Sequence, residues 1–308
     1  MSSSTSDRNM NGWGYAMFSV ETFMNVVFIP LMFCFFYICV AQKNLHPNFR
    51  ICLFMAGIGY LATDIIRITM ATIQMCCESY SNDLVVLALS RFLITSADFA
   101  AFSWLFAVVE RAIATVFSGI YEIRYAACTI GVLLCGVNVL LNISLMCVHR
   151  YCQTCDLGIY LISVNTVIVL LCVIGLIGII KLNVSKYRKR HESMGRLAEK
   201  YQLAENIRSA KYLICIAIND FVCRIIYVAL MMYPIVFKGI PMHSDKFLSP
   251  QVFDLLFAYQ RIFAGFALTL QSEKFRQLIM HRKRAMQVVD GQSDAADIYF
   301  DKLKQMWT

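Results

Sequence analysis

The sequence predicts an all-α membrane protein, a bundle of seven transmembrane helices with the N-terminus outside and the C-terminus inside. Composition is the first observation: 59% of the 308 residues are hydrophobic and 16% are charged, against about 45–50% and about 25% in soluble domains. The second is a series of seven apolar runs, each near the length of about 20 residues with which a helix spans a bilayer. The third is the distribution of basic residues among the loops.

The apolar runs follow a polar N-terminal stretch, residues 1–18, which we predict to be an extracellular tail. The transmembrane domain then covers residues 19–270. Its spans are predicted at about 19–41, 51–75, 84–109, 125–147, 157–180, 210–237 and 251–270. Short polar segments separate them, such as QKNLHPNFR after the first run and VHRYCQTCD after the fourth. No soluble catalytic domain fits in the remaining residues, so we expect no enzyme.

The orientation follows from Lys and Arg in the loops, because cytosolic loops carry an excess of both. With the N-terminus outside, the inner segments hold twenty of these residues and the outer segments four. The formal net charge of +8 therefore indicates contact with the inner leaflet and a cytosolic partner rather than with nucleic acid.

Two polar stretches lie on the predicted cytosolic side. Residues 197–213 combine good helix formers with apolar residues at helical spacing, which predicts an extension of the sixth helix. Residues 271–286 are amphipathic, which is typical of a helix lying on the inner leaflet. Residues 287–308 are polar, and we expect a mobile cytosolic tail.

The third apolar run stops at the charged pair Glu110-Arg111. One interpretation is that Arg111 anchors a cytosolic helix end, as many basic residues do. The other is a charged switch at the inner end of the third helix of a seven-helix receptor.

Several ionisable residues fall inside the predicted spans, where charges are costly and usually functional. Counted from the helix ends, four polar residues lie at similar depth: Asp64, Asp98, Asp220 and Gln260. Together with Arg67 and Arg224 they predict an intramembrane polar network. The alternative is that neighbouring acids and bases merely neutralise each other in pairs. Both interpretations place these side chains inside the bundle.

A ligand pocket is expected between the outer halves of helices 3, 5, 6 and 7. Its candidate lining residues are Arg91, Ser96, Tyr227, Tyr233 and Tyr259. Aromatic, mildly polar walls suit a small organic molecule, and Arg91 would also accept an acidic one. Near the same face, the ER lumen could oxidise a pair drawn from Cys76 or Cys77 and Cys152 or Cys155 to a disulfide, with the connectivity open.

Other classes of seven-helix protein fit the sequence less well. The last run lacks the lysine of a retinal protein, and no spacing of His, Cys or Asp inside the spans predicts a metal site. We therefore expect no cofactor. A G-protein-coupled receptor remains, with a ligand-gated ion channel or a non-signalling ciliary membrane protein as the alternatives.

The strings ERAIATVFSGIYE, LAEKYQLAENIR and NLHPNFR also resemble nematode seven-transmembrane chemoreceptors of the Sra superfamily, which has classes a, ab, b and e. Classes e and ab are favoured. The resemblance covers essentially the whole chain. It implies a chemosensory receptor in the plasma membrane of a neuronal sensory cilium, coupled to heterotrimeric G proteins.

Glu110-Arg111 is similar to the acid-arginine switch of rhodopsin-like receptors as well. The chain departs from that pattern at Ala112, where a tyrosine is usual, and its seventh run has no NPxxY motif. Only the role of the charged pair is therefore carried over.

Overall fold

The computed structural model describes residues 12–41, 45–76, 84–118, 121, 128–151, 157–191, 197–238 and 249–271. Seven helices make up nearly all of these residues, which contain no β-strand. The helices are α1 (Gly12–Ala41), α2 (Pro47–Cys76), α3 (Leu84–Val116), α4 (Thr129–Tyr151), α5 (Leu157–His191), α6 (Leu197–Lys238) and α7 (Ser249–Gln271). The predicted all-α bundle of seven helices is confirmed.

The distribution of apolar and charged side chains is that of a membrane protein. Within the described residues, six helices, α1 to α6, contain stretches long and apolar enough to cross a membrane. Large apolar side chains such as Phe23 and Tyr37 project outward, each 69% exposed, whereas Asp64 and Glu110 are fully buried. This arrangement is expected in a bilayer, because charged side chains are costly in contact with lipid and therefore face the inside of the bundle.

Helix α3 occupies the centre of the bundle. It packs against α2, α4, α5 and α6, while α1 contacts α2 on one side and α7 on the other and α6 contacts α7. Helices α2 and α3 are in close contact at Gly59, where a Cβ atom would lie 2.9 Å from the backbone nitrogen of Ala100. At Gly265 of α7, a Cβ would lie 2.7 Å from a methyl carbon of Leu31 in α1. Small residues thus let both helix pairs approach closely.

Helix α3 extends beyond the apolar run that predicted it. The run ends at residue 109, but the helix continues to Val116, about 10 Å further along its axis. Glu110 and Arg111 consequently lie about one and a half turns before the end of the helix, at 0% and 1% exposure. Helix α6 likewise starts at Leu197, so it includes residues 197–209 of the polar stretch that precedes its apolar run.

Candidate functional site

Glu110 and Arg111 form a buried ion pair near the end of α3. The Nε of Arg111 lies 2.5 Å from Oε2 of Glu110, and its Nη2 donates to Oε1 at 2.7 Å. This is the two-pronged geometry that an arginine forms with a carboxylate. A buried pair of this kind is stable only when further hydrogen bonds satisfy its remaining polar atoms, and neighbouring helices supply them here. We call the group of Asn48, Glu110, Arg111, Tyr121, Glu205 and Asn206 the Arg111 cluster.

The carboxylate side of the cluster is held by Tyr121 and Asn48. Tyr121, in the segment between α3 and α4, donates its hydroxyl proton to Oε1 of Glu110 at 2.5 Å. The Asn48 amide donates to that hydroxyl oxygen at 3.2 Å and accepts the N–H of Gly131 at 3.0 Å. Burial, followed by the negative charge of Glu110, raises the pKa of Tyr121, so the phenol stays a donor. Because Gly131 is in the first turn of α4, its N–H has no partner within that helix.

The guanidinium side of the cluster reaches α6. Nη1 of Arg111 donates to the amide oxygen of Asn206 at 2.9 Å and lies 3.7 Å from the Glu205 carboxylate. That carboxylate also accepts the backbone N–H of His46 at 2.7 Å, and the ring of Phe49 lies 4.5 Å beneath the guanidinium carbon. One arginine therefore connects α3 to both α6 and the start of α2.

The last turn of α3 is tied to α5 in addition. The amide of Asn183 donates to the Thr115 hydroxyl oxygen at 2.9 Å, and Nζ of Lys186 donates to the Thr115 carbonyl at 2.7 Å. Thr115 in turn donates to the carbonyl of Arg111 at 2.8 Å. Polar contacts thus converge on α3 from the neighbouring helices at this end of the bundle, which we call the Arg111 end.

A second buried charge group lies at the opposite end, among α1, α2 and α7. Arg67 is in an ion pair with Glu21 at 2.7 Å and with Asp254 at 2.5 Å. One turn deeper, Nε of Arg261 lies 3.5 Å from Asp64, an ion-pair contact rather than a hydrogen bond. We call these residues, Glu21, Asp64, Arg67, Asp254 and Arg261, the Arg67 cluster.

The predicted polar network is distributed over several separate contacts. Asp64 and Arg67, although on one face of α2, pair with different residues, as the Arg67 cluster shows. Asp98 accepts from Asn165 of α5 at 2.8 Å, and Asp220 accepts from Nε of Arg224 at 3.1 Å within α6. Gln260 lies beside Arg224 in a cleft between α6 and α7.

Glu21 and Asp254 are partners that the sequence prediction omitted. Glu21 is the one charged residue of its apolar run, which was the available signal. Both residues lie within three positions of a predicted span boundary, where a carboxylate is normally assigned to the membrane surface. Their partner Arg67 is only 7% exposed, and a buried guanidinium needs carboxylates close to it to balance its charge.

The candidate ligand-binding residues whose side chains the structure describes, Arg91, Ser96, Tyr227 and Tyr259, lie in different surroundings. Arg91 and Tyr259 are exposed, and the Ser96 hydroxyl is hydrogen-bonded to Thr63 at 2.9 Å. Tyr227 lines the narrow α6–α7 cleft, which is bounded by Cys223, Arg224, Tyr227, Leu256, Phe257 and Gln260.

Several predicted features lie outside the residues whose placement the structure describes. They are the side chains of Tyr233 and Cys76, the other candidate disulfide cysteines (Cys77, Cys152 and Cys155), residues 272–286 of the amphipathic segment and the tail 287–308. Among the described residues, no group of three or more His, Cys, Asp or Glu side chains is arranged to hold a metal ion.

Comparison with known families decides the class of protein. Residues 15–308 match the family model described as serpentine type 7TM GPCR receptor class ab chemoreceptor. The chain belongs to this family. The resemblance to the Sra superfamily is therefore confirmed, and the class is ab. A class ab chemoreceptor is a multi-pass membrane protein of the serpentine type, in agreement with the helices described above. A comparison with curated proteins found no match.

Proposed function

We propose that this class ab chemoreceptor is a G-protein-coupled receptor that detects a small organic ligand and activates a cytosolic heterotrimeric G protein. The observation that carries the proposal is the Arg111 cluster, in which one fully buried arginine of α3 is held by side chains of α6. In the proposed orientation the N-terminus is outside and the Arg111 end faces the cytosol. The excess of Lys and Arg in the segments at that end supports this orientation. The proposed location is the plasma membrane of a sensory cilium.

The proposed switch moves α6 away from α3. The ion pair between Glu110 and Arg111 lies within α3 and survives such a movement, whereas the contacts of Arg111 with Asn206 and Glu205 are broken. A hydrogen bond to a charged group contributes about 1.5–3 kcal/mol. Shifting a two-state equilibrium from 1:99 to 99:1 requires about 5.5 kcal/mol of differential ligand affinity, so a ligand can overcome contacts of this size. The Nη1 group is then free to donate to the G protein.

The test compares wild type with Arg111→Ala in a heterologous cell, using surface labelling and a Gα activation assay across a panel of small organic molecules. We expect normal surface density and a loss of at least about 10-fold in the ligand-dependent response, because the hydrogen bonds of the guanidinium are lost. Lys181→Ala, an exposed lysine of α5, is the matched control and should respond as wild type.

Removing Arg111 alone leaves Glu110 buried without its counter-charge, which can reduce folding. The double variant Glu110→Gln with Arg111→Gln removes both charges and should restore surface density without restoring the response. A full response in either variant would refute the switch. A ligand-evoked current that persists when G proteins are blocked would instead identify an ion channel.

A further inference from the structure

We propose that the Arg67 cluster binds one proton, which its carboxylates share, and that the packing of α1 and α2 against α7 therefore depends on pH. This inference goes beyond the proposed function, because neither the ligand nor the G protein of the receptor takes part in it. Its first basis is the charge of the cluster, in which three carboxylates face two guanidiniums. When every group is ionised, one negative charge is left without a counter-charge.

The excess negative charge lies where water cannot stabilise it. Four of the five residues of the Arg67 cluster are buried, and the side chain of the fifth, Asp254, is 25% exposed. An unpaired charge in the interior of a protein is costly, and an acid in that position takes up a proton instead. One proton on any of the three carboxylates makes the cluster neutral.

Asp64 is the carboxylate that its surroundings stabilise least. It is fully buried, and neither of its oxygens accepts a hydrogen bond from a residue that the structure describes. Nε of Arg261, which lies 3.5 Å from Asp64, and the amide nitrogen of Asn25 also lack an acceptor among those residues. The oxygen of Asn25 accepts from Arg261 at 2.8 Å. Because hydrogen bonds are what favour the charged form of a carboxyl group, Asp64 is poorly prepared to remain ionised.

Glu21 and Asp254 contact the same nitrogen atom. Nη2 of Arg67 lies 2.7 Å from Oε1 of Glu21 and 2.5 Å from Oδ2 of Asp254. Two carboxylates around one guanidinium nitrogen repel each other when both are ionised. Acids coupled in this way titrate together, so the proton belongs to the Arg67 cluster as a whole rather than to one residue.

The other ionisable side chains described near the cluster supply no net positive charge to it. Asp220 of α6 is in an ion pair with Arg224, and Asp98 of α3 accepts a hydrogen bond from α5. The phenols of Tyr60 and Tyr227 interact with charges of the cluster, but a phenol is uncharged near neutral pH. The missing charge therefore has to come from solution.

A proton fits the cluster better than a metal ion does. A cation such as Ca²⁺ takes about six to eight oxygen ligands, whereas a guanidinium nitrogen of Arg261 lies beside Asp64. In the part of the chain that the structure describes, no group of three or more His, Cys, Asp or Glu side chains could hold a metal ion. The partly exposed Asp254 gives a proton access from solvent. In the proposed orientation this end faces outside, so the proton would come from the external medium.

The experiment records infrared spectra and melting temperatures of the purified full chain in lipid nanodiscs, from about pH 6.5 to about pH 9. This range lies above the ordinary pKa of 6.5 of His46. We expect a band of a protonated carboxylic acid at the lower end of the range and its loss as the pH rises. Losing the proton leaves the excess charge among three helices, so the melting temperature should fall by about 2–4 °C over the same interval.

Asp254→Asn removes one negative charge from the cluster but keeps an oxygen for Arg67. Two carboxylates then balance two guanidiniums, so the acid band and the fall in melting temperature at high pH should both disappear. Glu21→Gln should have the same effect, and it provides a second variant if the first folds poorly. Asp98→Asn, which replaces a buried carboxylate outside the cluster, is the matched control and should keep both properties.

Three results would overturn the proposal. The first is a wild-type spectrum without an acid band that titrates in this range. The second is a band that persists unchanged in both Asp254→Asn and Glu21→Gln. The third is a melting temperature that rises with Na⁺ or Ca²⁺ at constant ionic strength while no acid band is present, because a metal ion would then supply the charge.

Discussion

Arg111 has contacts that a lysine could not reproduce. Its guanidinium meets Glu110 through Nε and Nη2, Asn206 through Nη1, and the ring of Phe49 through its face. These contacts use the planar fork of the arginine side chain and its stacking surface, both of which an ammonium group lacks. A positive charge alone is therefore not enough to replace Arg111 in the Arg111 cluster.

Because of His46, the stability of the Arg111 end should depend on pH. Its Nδ1 accepts the N–H of Asn48 at 3.3 Å. This hydrogen bond caps the start of α2, and it requires that Nδ1 is not protonated. Burial lowers the pKa of His46 from 6.5. Among the nearby charges, Glu110 raises it, and Arg111 and Arg50 lower it. The unfolded chain therefore binds this proton at a higher pH than the folded chain does.

The stability contributed by a neutral His46 should be complete above pH 6.5 and decline as the pH falls below that value, because unfolding then takes up a proton. Melting temperatures of the purified receptor between neutral pH and pH 5 measure this effect. His46→Asn, which keeps a capping oxygen but does not titrate, should melt with a weaker dependence over that interval. An identical dependence in both proteins would exclude His46 as the source.

At the residue scale, the sequence predicted which charged side chains are important better than it predicted their partners. Asp64, Arg67 and Glu110-Arg111 were identifiable because a charge inside an apolar run is rare and costly. Pairing depends on contacts between helices that are distant in sequence. Arg67 lies three residues from Asp64 yet pairs with Glu21 of α1 and Asp254 of α7, which no local spacing could indicate.

At the scale of the helices, the contact of α2 with α3 leaves little room for added volume. A methyl group at Gly59 would lie 2.9 Å from both the backbone nitrogen and the Cβ of Ala100. We expect Gly59→Ala to lower the free energy of unfolding by about 1–3 kcal/mol, the usual effect of overpacking. Reversible unfolding in detergent micelles measures it.

The matched control is Gly136→Ala in α4, where nothing lies within 4 Å of the added Cβ. This substitution should stabilise the protein by about 0.5–1 kcal/mol, because glycine inside a helix has excess conformational freedom to lose. Two changes of the same sign would contradict the packing described for Gly59.

Helix boundaries were predicted less well than the number of helices. Hydropathy detects the seven apolar runs but ends α3 at residue 109, since Glu110 and Arg111 resemble the start of a water-exposed segment. Tyr121 and Asn206 satisfy these charges from other segments, so the helix continues with its polar residues buried. The sequence alone does not reveal that these partners are present.

At the scale of the whole molecule, the contact of Glu205 with Arg111 and with the backbone of His46 should hold α6 in the described position. Glu205→Gln retains an oxygen for the N–H of His46 but removes the charge that attracts Arg111. Because Glu205 is partly exposed, the ion pair contributes about 0.5–1 kcal/mol.

We therefore expect ligand-independent Gα activation to rise about twofold to fivefold in Glu205→Gln at equal surface density. Lys211→Gln, six residues further along α6, is the control and should leave the basal signal unchanged. A reduced basal signal in Glu205→Gln would mean that the described position of α6 is the one that couples.

The Arg67 cluster also constrains how the chain can be made. Glu21 and Arg67 can pair once α1 and α2 are present, but Asp64 of α2 obtains its partner Arg261 only after nearly the whole chain has been synthesised. Asn25 and Arg261, which are hydrogen-bonded at 2.8 Å, are 236 residues apart. A charged residue at the centre of an inserting helix carries a penalty of about 2.5–3.5 kcal/mol. During biogenesis, we therefore expect α2 to stay in contact with the translocon or a chaperone until α7 emerges and completes the Arg67 cluster.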